Sequence, residues 1–220
     1  MNTHDFDFAG TQLSALPSGA LFWPSEGCLV VSDLHLGRSG RYARLAGALL
    51  PPYEVEETLA RLDADIAATA ARMVICLGDT FDDLQAAELP EPQALWLARL
   101  MAGRRWVWIE GNHDPGPVGL GGEHRAELAL GPLRFRHIAA PGASAEISGH
   151  YHPKLRLAGQ SRRCFLVGAA RVILPAYGTY TGGLGATDPI LCDLMGAGAV
   201  AVLTGTAARP VPMSGKGRRG

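Results

Sequence analysis

Short unbroken apolar runs punctuate this chain: Cys28-Leu29-Val30-Val31, Met73-Val74-Ile75-Cys76-Leu77 and Trp106-Val107-Trp108-Ile109. Runs of this length, rich in β-branched and aromatic residues, predict strands buried on both faces rather than helices. Between the first two, Val55, Leu59, Leu62 and Ile66 recur at helical spacing through an Ala-rich segment ending near Ala70. Between the second and third, Leu95, Ala98 and Met101 share one face of a helix running from Glu91 to about Gly103, with Pro92 tolerated in its first turn. Strand, polar loop, helix, strand is the plan of a parallel sheet with helices packed on it. Ahead of it, Asp5 to Trp23 alternates apolar groups with Gly10, Pro17, Ser18 and Gly19 and predicts a hairpin.

The pattern changes in the second half. Apolar runs at 133–135, 145–147, 155–157, 164–167, 172–174 and 200–203 are separated by turn residues with little helical periodicity. They predict a second, mixed or antiparallel sheet. The expected fold is therefore α/β, with two mixed β-sheets face to face, helices outside, and an active site at the C-terminal ends of the strands. One domain is expected over residues 1–206, followed by a Pro/Gly-rich basic tail, 207–220, expected to be disordered.

Composition narrows the functional classes only slightly. The chain has 220 residues, 47% hydrophobic and 19% charged, with a formal net charge of −1. No bulk positive charge argues for a polyanionic partner, although two bound divalent ions would add it locally. No apolar run approaches the roughly 20 residues needed to span a bilayer, and the first ten residues do not resemble a secretory signal. Cys28, Cys76, Cys164 and Cys192 are widely spaced, each in or beside an apolar run, as reduced core thiols are. A cytoplasmic location is expected.

The chemistry lies in the polar loops that end these runs. They are Ser32-Asp33-Leu34-His35, Gly78-Asp79-Thr80-Phe81-Asp82-Asp83, Gly111-Asn112-His113-Asp114 and Gly149-His150-Tyr151-His152. Any one Asp-x-His could arise by chance, but four such groups in order, each after an apolar run, point to a metal centre. Asp33 and His35, two apart at a strand end, lean the same way in extended geometry, and His150 and His152 repeat the device. Asp33, His35, Asp79 and His152 are assigned to one ion; Asp79, Asn112, His137 and His150 to a second, with Asp79 as the bridge. His137 follows the run Leu133 to Arg136 and competes with a structural role; His124, its rival, is expected in a solvated loop.

Carboxylate, imidazole and amide donors without thiolate suit two divalent ions, manganese first and zinc or iron also accepted, in an open catalytic site. Ions about 3.5–4 Å apart activate water and grip a phosphate for in-line displacement, with a bridging hydroxide as the attacking group. His113, not needed as a ligand, is the expected proton donor to the leaving oxygen, oriented by Asp82, or less directly by Asp83 or Asp114. Arg38 is a candidate for a phosphate oxygen. His4 is expected to be idle.

These motifs, DLH, GDTFDD, GNHD and GHYH with an upstream histidine, resemble the calcineurin-like metallophosphoesterase superfamily in order and type. Leu49-Leu50-Pro51-Pro52-Tyr53, and Leu174-Pro175-Ala176-Tyr177-Gly178-Thr179-Tyr180-Thr181-Gly182-Gly183-Leu184, extend the likeness from about Cys28 to Ile190. They resemble the bacterial ligase-associated DNA-damage-response endonucleases of that superfamily. The resemblance implies a manganese-dependent phosphodiesterase that nicks single-stranded DNA or hairpin loops, in functional association with a DNA ligase, a helicase and an exonuclease. Asp82 departs from that branch, where histidine is frequent, and matches the phosphatase branches. Tyr177 and Tyr180 are candidates to stack on unpaired bases, against a plain reading as aromatic packing in a tight turn. The alternatives are a small-molecule phosphodiesterase or phosphomonoesterase, and a non-catalytic scaffold, against which the complete ligand set argues.

Overall fold

The computed structural model describes residues 2–39, 53–82, 89–112 and 120–213. Leu49 to Pro52, Asp83, His113, Asp114 and residues 214–220, singled out above, lie outside the described residues.

The first sheet runs in chain order. β1 (His4–Phe8), β2 (Thr11–Ala15) and β3 (Leu21–Trp23) form an antiparallel meander, and β3 pairs antiparallel with β4 (Cys28–Val31). From β4 the sheet is parallel, through β5 (Met73–Leu77), β6 (Arg105–Ile109) and β7 (Glu123–Arg125). The crossovers carry α1 (Glu54–Thr69) and α2 (Glu91–Met101).

The second sheet contains β8 (Glu127–Leu130), β9 (Leu133–Arg136), β10 (Glu146–Ser148), β11 (Lys154–Leu157), β12 (Gln160–Val167), β13 (Arg171–Ile173), β14 (Val200–Leu203) and β15 (Arg209–Pro212). Its order is β15-β14-β12-β13-β10-β9-β8, with β11 pairing β12 at one end. Here β9, β10 and β13 are parallel and the remaining pairs antiparallel.

Strand alternation sorts the apolar runs into layers. Cys28, Val30, Ile75, Leu77, Val107 and Ile109 face inward, against Phe135, Ile147, Phe165, Val172 and Val202 of the second sheet. Their neighbours Leu29, Val31, Val74, Cys76, Trp106 and Trp108 face outward, under Leu59, Leu62 and Ile66 of α1 and Leu97 and Leu100 of α2. On the far side Cys164, Leu166, Ile173, Ala201 and Leu203 pack under Leu191 and Met195 of α3 (Pro189–Met195). Four layers result, helices–sheet–sheet–helix, and the unbroken apolar runs follow from burial on both faces.

Strands β7, β8 and β15 and helix α3 lie beyond the sequence reading. Edge strand β7 carries charged residues, with Arg105 Nε 2.7 Å from Glu123 Oε1 in place of an apolar run. Helix α3 is short and capped by Asp188, whose Oδ1 accepts from Ile190 N at 3.0 Å, with Pro189 at its first position. Residues 209–212, placed in the basic tail by sequence, are strand β15 on the edge of the second sheet. Cys28, Cys76 and Cys164 are buried and Cys192 is half-buried; burial pushes the Cys28 and Cys164 thiols up to about 12. Among the described residues no helix is long and apolar enough to cross a membrane.

Candidate metal centre

Parallel strands deliver their C-terminal ends to one rim. Asp33 and His35 follow β4, Asp79 follows β5, Asn112 follows β6, His137 follows β9, and His150 and His152 follow β10. The first two loops interlock through backbone hydrogen bonds: Asp33 N to Gly78 O at 3.2 Å, His35 N to Asp79 O at 3.0 Å, and Leu36 N to Thr80 O at 2.8 Å.

The backbone there is not extended. Asp33, His35, Asp79, His150 and His152 have φ of 54°, 47°, 47°, 70° and 47°. Left-handed geometry at a non-glycine residue costs of order 1–2 kcal/mol, so five instances among the seven candidate ligands mark conformations imposed by the surrounding fold. This corrects the extended geometry expected for Asp33–His35 and His150–His152. Each side chain is aimed by a left-handed bend, because the loops must turn sharply off the strands to bond with each other.

Two groups of donor atoms form. In the first, His152 Nε2 lies 3.0 Å from Asp33 Oδ1 and 3.4 Å from His35 Nε2. In the second, His137 Nε2 lies 3.0 Å from Asn112 Oδ1, 3.2 Å from His150 Nδ1 and 3.4 Å from Asp79 Oδ2. That same Asp79 oxygen is 4.0 Å from His35 Nε2, which places it between the groups. Donors about 2.0–2.2 Å from a common ion stand roughly 3.0–3.5 Å apart, so both groups have the spacing of a divalent coordination shell. Among the described residues, buried Asp33 Oδ1 finds no well-directed hydrogen bond, as expected of a coordinating oxygen. The residues present therefore fit two divalent ions.

Neighbouring groups aim the rings. His137 Nδ1 donates to Leu77 O at 2.7 Å, which leaves Nε2 with its lone pair toward the second group. Asp82 Oδ1 lies 3.0 Å from His35 Nδ1, and a carboxylate there holds the ring proton on Nδ1 and frees Nε2. Asp33 Oδ2 accepts from Ser32 Oγ at 2.5 Å and from His150 N at 2.9 Å. Burial opposes ionisation of Asp33, but His152, His137 and the Ser32 hydroxyl outweigh it and hold the carboxyl below its ordinary range. Burial likewise opposes charge on His137, yet its hydrogen bond to Asp79 and the Asp33 and Asp79 charges push it to about 9. His150 is lowered by burial and by the neighbouring His137 charge.

Two glycines make the approach possible. A Cβ at Gly78 would sit 2.5 Å from the His137 ring, and one at Gly149 would sit 1.7 Å from Ser32 Oγ. Ser32, Gly78 and Gly149 stood in the quoted motifs and Leu77 ended the run before Asp79, but sequence assigned none of them a role.

Other expected residues fall in different places. Asp82, expected to orient His113, sits against His35 and 3.7 Å from Arg38 Nη1; His113 itself lies outside the described residues. Arg38 is thus beside the first group. Tyr177, expected at the cleft, is fully buried, with its hydroxyl donating to Asp65 Oδ2 at 2.8 Å, so packing in the helix–sheet layer replaces the stacking role. Tyr180 is half-buried two residues beyond Gly178. His124 stacks on Trp108 from β7 and His4 on Phe6 from β1, both outside the two donor groups.

The segment after β13 is a strap behind the centre. Tyr177 N donates to Ser32 O at 2.8 Å and Gly178 N to Asp33 O at 3.1 Å, while Gly183 lies so close to the His152 carbonyl that a Cβ would come within 1.9 Å. It braces the first and last ligand loops together.

Comparison with known proteins places this geometry. The family model for calcineurin-like phosphoesterases matches residues 28–148, which span β4 to β10 and hold five of the seven candidate ligands. Among solved structures, a nuclease from Pseudomonas putida, named MPE, is similar with a TM-score of 0.77 and 29% sequence identity, over 96% of this chain and 100% of that one. Comparison with curated proteins finds no match.

Proposed function

Because this chain belongs to the calcineurin-like phosphoesterase family, whose members are metal-dependent, we propose that it is a dinuclear DNA endonuclease that nicks single strands or hairpin loops. The observation that carries the nucleic-acid reading is the similarity to a nuclease over essentially the full length of both chains.

Asp33, His35, Asp79 and His152 would hold one ion; Asp79, Asn112, His137 and His150 the other. Manganese is the proposed occupant, with zinc and iron accepted by the same donors. When bound, such ions supply Lewis acidity and an acidified water at neutral pH. The chain contributes the rest. Leu77 O and Asp82 keep the His137 and His35 rings in the tautomer that presents Nε2. Buried Asp33 and Asp79 supply two fixed negative charges at the base, while exposed Asn112 and half-buried His150 and His152 stand at the mouth. Arg38, 17% exposed and beside Asp82, is placed to neutralise a phosphate oxygen. His113, adjacent to Asn112 in sequence, is the proposed proton donor to the leaving oxygen.

The deciding assay is cleavage of an end-labelled stem-loop DNA by the purified protein with Mn²⁺, with Asp79→Ala alongside. Loop nicks by the wild type alone are expected. Turnover of a chromogenic phosphate ester without DNA cleavage would instead assign the centre to small esters, the role that Asp82 favours.

A further inference from the structure

Residues 147–187 contain Lys154, Arg156, Arg162, Arg163 and Arg171 and no Asp or Glu, an asymmetry hidden by the overall charge of −1. Arg171 is answered by Glu146, at 3.4 Å. The others sit on the β11–β12 hairpin, where Lys154 stands directly opposite Arg163, a pairing of like charges that weakens a ladder.

Two of the hairpin cations, Lys154 and Arg163, gather along the strap with Arg61 of α1. Arg61 Nη1 donates to Tyr177 O at 2.6 Å, Arg163 Nη2 to Thr179 O at 2.5 Å, and Lys154 Nζ to Thr181 O at 2.9 Å. Arg163 Nη1 also reaches Tyr177 O at 3.4 Å, so one carbonyl holds two guanidinium groups together. Glu57, the carboxylate beside them, is 3.1 Å from Arg61. Among the described residues no carboxylate pairs with Arg163. Burial and the Arg61 charge draw its guanidinium down to about 10.

These groups border a cleft of about 560 Å³, also lined by Ser18, Thr179 and Thr204. Of the five N–H donors on Arg163, two are used in the bonds above, which leaves donors for a ligand. Two converging guanidinium groups and three hydroxyls, with Glu57 beside Arg61 and Asp65 behind Ser18, describe a receptor for a tetrahedral oxyanion. We propose that the Arg61–Arg163 cleft is a phosphate-binding site, occupied by a backbone phosphate of the nucleic-acid strand that is cut at the metal centre. The strap joins the two places, since Thr179 follows Gly178, whose N–H is bonded to Asp33 O. The strand as the source of the phosphate rests on the nuclease reading; the phosphate chemistry of the cleft does not.

The experiment compares wild type, Arg163→Gln and Arg163→Lys in two arms. In the first, KM is measured for single-stranded oligonucleotides of increasing length and for a small aryl phosphodiester. Arg163→Gln is expected to raise KM for the longer strands about tenfold relative to the small diester, with Arg163→Lys restoring part of it. The slope of log KM against log salt should fall by about one. In the second arm, inorganic phosphate is titrated into metal-free protein and thermal stability followed. Stabilisation by phosphate that Arg163→Gln removes, without any length-dependent KM, would retain the site and assign it to free phosphate. Equal losses on strand and small diester would show that Arg163 only braces the strap and would overturn the proposal, as would no change in either arm. If the wild type cuts no oligonucleotide, the nuclease reading fails alone and the phosphate arm decides the cleft.

Discussion

Gly78→Ala tests whether the second donor group is built by close packing against the backbone. Gly78 has φ of +72°, where an L side chain is strained by about 1–2 kcal/mol. Its Cβ would also lie 2.5 Å from Cγ and Nδ1 of His137, roughly 0.9 Å inside ordinary contact. The ring cannot yield freely, because Nδ1 is tied to Leu77 O at 2.7 Å and a shift of that size breaks the bond. Adding a lost buried hydrogen bond of about 1 kcal/mol gives a destabilisation of about 2–3 kcal/mol. Displacing Nε2 from Asn112, His150 and Asp79 disturbs one donor group, whereas the contacts of His152 with Asp33 and His35 do not involve the ring. The assay is metal stoichiometry by elemental analysis and affinity by isothermal titration. One ion retained near wild-type affinity and the other weakened 10- to 100-fold is the expected result. Two ions bound as in wild type, with an unchanged melting temperature, would refute the reasoning about both the contact and the group.

Further perturbations separate the parts of the site. Asp82→Ala removes the carboxylate at His35 Nδ1 and should weaken the ion at the first group 10- to 100-fold, leaving the second nearly unaffected in the same titration. Glu146→Ala leaves buried Arg171 uncompensated and the Ala140 N–H without its acceptor, so denaturant unfolding should show a loss of about 3–5 kcal/mol. Tyr177→Phe removes one of the donors to the buried Asp65 carboxylate, which keeps Ser18 and Arg61 beside it, at a cost of about 1–3 kcal/mol by chemical denaturation, while loop-DNA cleavage per folded molecule stays at wild-type level; selective loss of strand cleavage would restore the stacking role. The raised His137 gives a pH signature in metal-free protein. Its charged form is favoured by folding, so its stabilisation is complete below about 6.5, declines as pH rises and is lost through about 9; urea midpoints of chelator-treated protein should fall over that window. Loading at pH 7 to 8 must displace this proton, and titrations in buffers of different ionisation enthalpy should register its release.

The strands and the donor residues were legible along the chain for one reason. A strand covered on both faces must be apolar at every position, so residues 28–31, 73–77 and 106–109 stand out as runs, and the polar residues just past them must lie at a sheet rim. Helical spacing exposed α1 and α2 in the same way. Edge strand β7 and the seven-residue α3 left no such mark, because one is charged and half-solvated and the other too short for a period. Within the site, residue identity could name Asp82 as an orienting carboxylate but not its partner, since the contact with His35 spans two strands and is decided by how their loops interlock. The same holds for Tyr177, whose burial against Asp65 depends on where the strap crosses α1. Left-handed bends at five candidate ligands, and the glycines that let Ser32 and His137 approach, are outcomes of packing between distant segments. Local sequence sets which donors are available; only the tertiary structure brings their lone pairs within coordination distance, because that distance is fixed by the separation of strands drawn from both sheets.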